Sequence, residues 1–239
     1  MSFRFFNRKS NVDLGVINED TPFAIKEAYK ALFSNILYLN IGSKCKKIAV
    51  TSAISGEAKT TLSANLAVTL AQNLEGKRVL LIDADMREPS IARAFAIRPG
   101  VHGLSEYLSG IDEDPHFDYL PQHKLMVITS GGRCYNPTKL IGSEKMQRLI
   151  KACENEFDYI VIDTPPVNIV SDAVLLNGIV DGYLISTLSD YSDLNTLGQC
   201  ISKLEHVGAE IFGIALSGVH LKGYNSKYSI SARKYVDGD

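Results

Sequence analysis

The strongest constraint on this chain is the rhythm of its apolar runs, short β-branched stretches that alternate with longer amphipathic segments. KKIAVTS from Lys46, RVLLIDAD from Arg78, LMVITS from Leu125, DYIVIDT from Asp158, DGYLIST from Asp181 and IFGIALS from Ile211 read as strands. Most are continuously apolar, as befits strands covered on both faces. Helical patterns occupy 60–73, 143–155, 171–177 and 193–207. Thr21-Pro22 opens a further helix that runs to about Tyr38, ahead of the first strand. This alternation predicts a three-layer α/β fold, a mainly parallel sheet flanked by helices. A length of 239 residues fits one such domain, and no repeat or linker divides it. The expected organisation is a flexible tail over 1–21, a domain with a leading helix over 22–221, and a flexible tail over 222–239.

Where the first strand ends, the sequence reads TSAISGEAKTTLSANLAVTLAQ: strand, short loop of small residues, then Lys-Thr-Thr opening a helix. A helix start presents unpaired N–H groups and partial positive charge, and a preceding loop adds further amides around phosphate oxygens. Ser55, Gly56, Glu57, Ala58, Lys59, Thr60 and Thr61 are therefore the candidate nucleotide-binding residues. Lys59 would reach the β- and γ-phosphates, and the Thr60 hydroxyl would ligate magnesium. Against the pattern G-x-x-x-x-G-K-[ST], Ala53 holds the first small position and Ala58 replaces the second glycine. If that position needs a left-handed backbone, alanine there costs roughly 1–2 kcal/mol. The plainer alternative is an ordinary strand–turn–helix with a solvated lysine.

The second strand ends in VLLIDADMREPS, with Asp83 and Asp85 two residues apart, and a later strand, DYIVIDTPP, ends in Asp163. Residues i and i+2 of an extended chain share a face, so Asp83 and Asp85 could converge on one ion. Carboxylates at the carboxyl ends of parallel strands border the crevice where open α/β sheets bind ligands. Thr60, Asp83 and Asp163 are thus the candidate metal residues, and Lys59, Asp83 and Asp85 the candidate catalytic ones. The competing reading makes such aspartates caps of the next helix or turn, which suits Asp172. Arg87 could neutralise transferring phosphate charge or form a surface ion pair. Asp158 and Asp181, at strand beginnings, are expected to be solvated.

A formal net charge of −2 gives no reason to invoke nucleic acid or an anionic membrane as the main partner. No apolar run approaches the ~18 residues that span a bilayer, and MSFRFFNRKS lacks the apolar core of a signal peptide. That start reads as a mobile tail, with contact to a membrane or partner through its aromatic and basic residues as the alternative. Cys45, Cys134, Cys153 and Cys200 stand singly and read as reduced, structural thiols of a cytosolic protein.

With these residues in hand, the chain resembles the bacterial tyrosine kinases of capsular and exopolysaccharide synthesis. The likeness runs from about Glu27 to Val219 and rests on EAYKALFSNILYL, SGEAKTT, LLIDADMREP, GLSEYLSG, NPTKLIGSEKM and YIVIDTPP in that order. It implies a P-loop fold of the MinD/ParA kind, ATP and magnesium as cofactors, and autophosphorylation of a C-terminal tyrosine cluster. By position it makes Asp83 the base or metal-linked acid near the tyrosine hydroxyl, Asp85 its partner, and Asp163 the Walker-B acid. The phosphoacceptors would be Tyr224, Tyr228 and Tyr235, in a polar, glycine-containing tail without apolar periodicity. The resemblance further implies a cytoplasmic chain recruited to the inner face of the plasma membrane by a membrane-embedded polysaccharide co-polymerase or activator, with protein tyrosines as substrates. A homo-oligomer stays open: the family's Glu-x-x-Arg-x-x-Arg pattern, tied to ring assembly, is Glu27, Lys30 and Phe33 here, and Phe33 fits a core position.

Two rivals remain at this level. A ParA/MinD-type partitioning ATPase shares the fold, but such proteins carry an early P-loop lysine where Ile54 stands. A catalytically degraded regulatory scaffold of the same pathway would explain Ala58, Phe33 and the thin tyrosine tail.

Overall fold

The apolar runs become strands whose alternate residues feed the two layers of helices above and below them. The computed structural model describes residues 15–39, 42, 44–98, 100 and 102–219. In chain order the elements are α1 (Phe23–Leu37), β1 (Lys46–Ser52), α2 (Lys59–Asn73), β2 (Val79–Asp83), α3 (Ile91–Ala94), α4 (Leu104–Ser109), β3 (Asp118–Leu120), β4 (Leu125–Ile128), α5 (Pro137–Ile141), α6 (Glu144–Cys153), β5 (Tyr159–Asp163), β6 (Gly182–Leu188), α7 (Leu194–His206) and β7 (Ile211–Ser217). The sheet order is β3-β4-β2-β5-β1-β6-β7, parallel except for β3, which pairs antiparallel with β4.

Side-chain alternation decides which layer each strand residue serves. Val79 and Leu81 of β2, Tyr159 and Val161 of β5, and Ile48 and Val50 of β1 pack under α2, together with Leu62, Leu66 and Leu70. Leu80, Ile82, Ile160 and Ile162 face the other way, against Met146, Leu149 and Ile150 of α6. Ala49, Tyr183 and Ile185 continue that second face beneath Cys200 and Leu204 of α7. By this count Asp83 and Asp163, the last residues of β2 and β5, fall on the α2 face. They are also register partners in the sheet.

The six expected strands form where the sequence placed them, and four of the five expected helices follow within a residue or two. The exception is 171–177, which makes only a 3₁₀ turn at Val174–Leu176. Its start is committed elsewhere: Asp172, expected as a cap, instead accepts from Arg87 Nε at 2.8 Å and from Thr138 Oγ1 at 2.6 Å. Gly178, with φ of +85°, then turns the chain away. Asp158 and Asp181 are not simply solvated either. Asp158 accepts from Lys77 Nζ and the Arg78 N–H, and Asp181 accepts from the Lys47 N–H at 2.7 Å, tying down the strand beginnings.

Phe33 packs against the core under α2. Ile17 is buried, and its N–H donates to Asn65 Oδ1 at 2.7 Å, so packing against α2 begins ahead of residue 22. The cysteines carry no disulfide, and burial raises the Cys45 and Cys200 thiols to about 12. No helix among the described residues is long and apolar enough to cross a membrane.

Candidate functional site

The turn between β1 and α2 brings the predicted phosphate-binding residues to the carboxyl edge of the sheet. Gly56 takes φ of +85°, and Ala58 is left-handed at φ 59°, ψ 21°, the conformation that its glycine-like position demanded. Its methyl group therefore carries about 1–2 kcal/mol of backbone strain. Ala58 is also the N-cap of α2, with no side-chain cap and no acidic residue in the first turn. Among the described residues no side chain caps the first N–H groups of this 15-residue helix, at the end where the helix dipole favours an anion.

Three aspartates stand around this helix start. Lys59 is largely buried, and its Nζ lies 2.6 Å from Asp85 Oδ2. Asp163 accepts from Thr60 Oγ1 at 2.7 Å and from Ser63 Oγ at 2.9 Å. Asp83 Oδ2 accepts the N–H groups of Ser90 and Ile91 at the start of α3, whereas its Oδ1 is buried with no hydrogen-bond partner among the described residues. Asp83 therefore both caps a helix and keeps one oxygen free. Strand geometry ends at Asp83, so Asp85 reaches Lys59 from the loop beyond, its Oδ1 accepting the N–H groups of Arg87 and Glu88.

Burial pushes the Lys59 ammonium down, but Asp163, Asp85 and Asp83 together outweigh it and hold the group above its ordinary value. Burial raises Asp83 well above the carboxylate range, and the Asp163 charge adds to that. Asp163 rises from 3.8 to about 6, again chiefly through burial, with Lys59, Thr60 and Ser63 opposing. A folded-state pKa above the unfolded one means the native protein binds more protons between pH 4 and 6, so these acids cost stability as pH rises through that window. Asp83→Asn is therefore expected to raise the unfolding temperature at pH 7.5. The gain should shrink towards pH 4.5, as seen by thermal melts at both pH values; an equal or opposite effect at the two would contradict the assignment.

The remaining predicted residues divide. Ser55 donates to Glu88 Oε2 at 3.0 Å, and its carbonyl accepts from Tyr191 OH at 3.1 Å. Glu57, which the motif leaves as an arbitrary residue, is buried and bonded to Ser192. The Thr61 hydroxyl is buried without a partner among the described residues. Arg87 forms the ion pair that was one of its two readings: from the surface it grips the buried Asp172 through two nitrogens and reaches Thr138 on α5. Tyr224, Tyr228 and Tyr235 lie outside the described residues. Sequence reasoning missed Ser186, Tyr191 and Ser192, which touch the phosphate loop from β6 and the segment after it. Their serine and tyrosine side chains carry no motif.

A lysine at an uncapped helix start, faced by acids from the tips of β2 and β5, defines a P-loop nucleotide-binding domain. Residues 48–229 match the CobQ/CobB/MinD/ParA nucleotide binding domain. The chain is 35% identical over 196 residues to tyrosine-protein kinase CpsD of Streptococcus agalactiae serotype III (strain NEM316), covering 82% of this chain and 83% of that one. It is 31% identical over 220 residues to tyrosine-protein kinase YwqD of Bacillus subtilis (strain 168), covering 92% of each. Among solved structures, the kinase domain of Escherichia coli tyrosine kinase ETK superposes with a TM-score of 0.79 at 28% identity, covering 92% of this chain and 88% of that one. The chain belongs to the bacterial tyrosine kinases of capsular and exopolysaccharide synthesis.

Proposed function

We propose that this kinase uses magnesium and ATP to phosphorylate protein tyrosines, those of its own C-terminal tail among them. The observation that carries the reading is the ring of Asp83, Asp85 and Asp163 around Lys59 and Thr60 at the start of α2. The residues present fit the ligand. The first-turn N–H groups of α2 and Lys59 would hold phosphate oxygens, while Thr60 and Asp163 would hold magnesium. Among the described residues no three Asp, Glu, His or Cys side chains form a metal cage. Magnesium needs none, since it commonly binds through one or two carboxylates, water and substrate phosphates. When bound, magnesium and ATP supply the phosphoryl group and a cation that offsets its charge.

The chain's own residues then have separable tasks. Lys59, released from Asp85, would follow the phosphate charge. Asp85 would keep the loop after β2 in place through the N–H groups of Arg87 and Glu88. Asp83 Oδ1, without a partner among the described residues and raised in basicity by burial, would take the proton of the tyrosine hydroxyl as the tyrosine oxygen attacks the terminal phosphorus of ATP and the bond to the departing ADP breaks.

The tail is long enough to deliver its tyrosines. β7 ends at Ser217 on the sheet edge where the phosphate loop lies, four strand positions from β2. That separation is about 19 Å at normal strand spacing. The seven residues from Ser217 to Tyr224 extend to about 24 Å, and Tyr228 and Tyr235 have more chain. A tethered tyrosine reaches its own or a neighbouring site at high effective concentration. In this reading the chain works in the cytoplasm, drawn to the membrane by a membrane-embedded co-polymerase or activator of the polysaccharide pathway.

The test is incubation with radiolabelled ATP and magnesium. The wild-type chain should carry phosphotyrosine. A variant with Tyr224, Tyr228 and Tyr235 all changed to Phe should lose self-labelling yet still label a tyrosine-containing copolymer. Free phosphate without tyrosine label would point to a partitioning-type ATPase, and failure to bind nucleotide to a scaffold.

A further inference from the structure

Glu57 is 1% exposed although it stands within the phosphate loop, and a carboxylate is buried at such a place only if it is well bonded. Its Oε2 accepts the Ile54 N–H at 2.9 Å, closing the loop on itself, and its Oε1 accepts from Ser192 Oγ. Its carbonyl accepts from Ser186 Oγ at 2.5 Å. Two residues earlier, the Ser55 carbonyl accepts from Tyr191 OH, whose oxygen lies 3.0 Å from where a Cβ on Gly56 would stand. The phosphate loop is thus held by Ser186 of β6 and by Tyr191 and Ser192 just beyond it. The residue after Glu57 is the strained Ala58. A left-handed alanine persists only where its surroundings over-determine it, and the bonds at Glu57 are the nearest that do so.

We propose that Glu57 is a positioning residue for phosphate binding: its buried side chain, clamped by Ser192 and Ile54, holds the left-handed bend at Ala58 that turns the first N–H groups of α2 towards the nucleotide. This rests on the nucleotide-binding reading above. It also accounts for how the site tolerates an alanine where the motif has glycine. Glycine enters the left-handed region freely, so a chain with glycine at 58 has less need of the clamp. The two positions should therefore be coupled, which a purely structural role for Glu57 would not produce.

The experiment measures equilibrium affinity of the full chain for ATP with magnesium, by calorimetry, and the KM and kcat of tyrosine labelling. Glu57→Ala should weaken affinity about tenfold, the scale set by the cost of a left-handed alanine, and raise KM for ATP more than it lowers kcat. Glu57→Gln should stay within about threefold, because an amide keeps one acceptor and one donor for the same two partners. Ala58→Gly alone should have an effect below about threefold, and added to Glu57→Ala it should recover most of the lost affinity. Native affinity in Glu57→Ala, or no recovery in the double variant, overturns the proposal. Should Glu57→Ala fail to fold, Ser192→Ala with and without Ala58→Gly supplies the same comparison under the same criteria. Lys59→Met separates the two levels. If it loses nucleotide while Glu57→Ala does not, this proposal alone falls. If it binds as the native chain does, the nucleotide site itself is misplaced and both fall.

Discussion

Lys59→Met is expected to lower affinity for ATP with magnesium by about a hundredfold or more and to abolish tyrosine labelling. The size of the effect comes from what surrounds the ammonium. Lys59 pairs with Asp85, and its pKa is raised by three buried carboxylates, Asp163, Asp85 and Asp83. With methionine in its place, the stem still fills the space, but a polyanion would have to enter beside Asp83, Asp85 and Asp163 with one fewer positive charge. Deleting a charge-assisted hydrogen bond in a nearly dry site costs about 1.5–3 kcal/mol, and unscreened repulsion adds to it. Asp83 and Asp163, both raised by burial, can relieve the repulsion by taking up protons, so the variant should fold, and more firmly at pH 5 than at pH 8. Calorimetric titration beside a thermal melt checks both halves. Affinity within threefold of the native value would remove Lys59 from the site.

Much of this site is visible in the sequence because parallel strands export their chemistry to one edge. Asp83 and Asp163 follow runs of buried apolar residues, and the alternation that buries Leu81 and Val161 under α2 also aims the two acids there. Lys59-Thr60 was equally legible, since a helix start after a buried strand can be read from pattern alone. What escaped was short or relational. The edge strand β3 is three residues long and follows a polar, Pro-containing segment, and α3, α4 and α5 have four to six residues, too few to show a helical period. Asp172 looked like a cap because its partners, Arg87 and Thr138, are 85 and 34 residues away in sequence. Glu57 looked arbitrary for the same reason: the groups that bury it come from Ser186 and Ser192, more than a hundred residues on. Local pattern reveals residues whose role is set by their own element. It is silent on those whose role is set by a distant partner.

Asp83→Asn should separate binding from chemistry. Asparagine keeps the shape of aspartate, and its carbonyl oxygen can still accept the N–H groups of Ser90 and Ile91, so α3 and the loop after β2 should stay in place. The pairs that would hold nucleotide and metal, Lys59 with Asp85 and Thr60 with Asp163, do not pass through this side chain. Affinity for ATP with magnesium should therefore remain within about threefold, since the free anionic oxygen was not spent on the phosphate loop. What the amide cannot do is accept the tyrosine proton. Loss of a positioned base costs about 10²- to 10⁴-fold in rate, and tyrosine labelling should fall by that amount in kcat. Because the same change removes a buried carboxyl whose ionisation burial and Asp163 both disfavour, the inactive variant should also melt higher than the native chain at pH 7.5. A loss of activity joined to a gain in stability cannot come from misfolding. Undiminished labelling would move the proton-accepting role to another group, and a matching loss of nucleotide affinity would place Asp83 in the metal site instead.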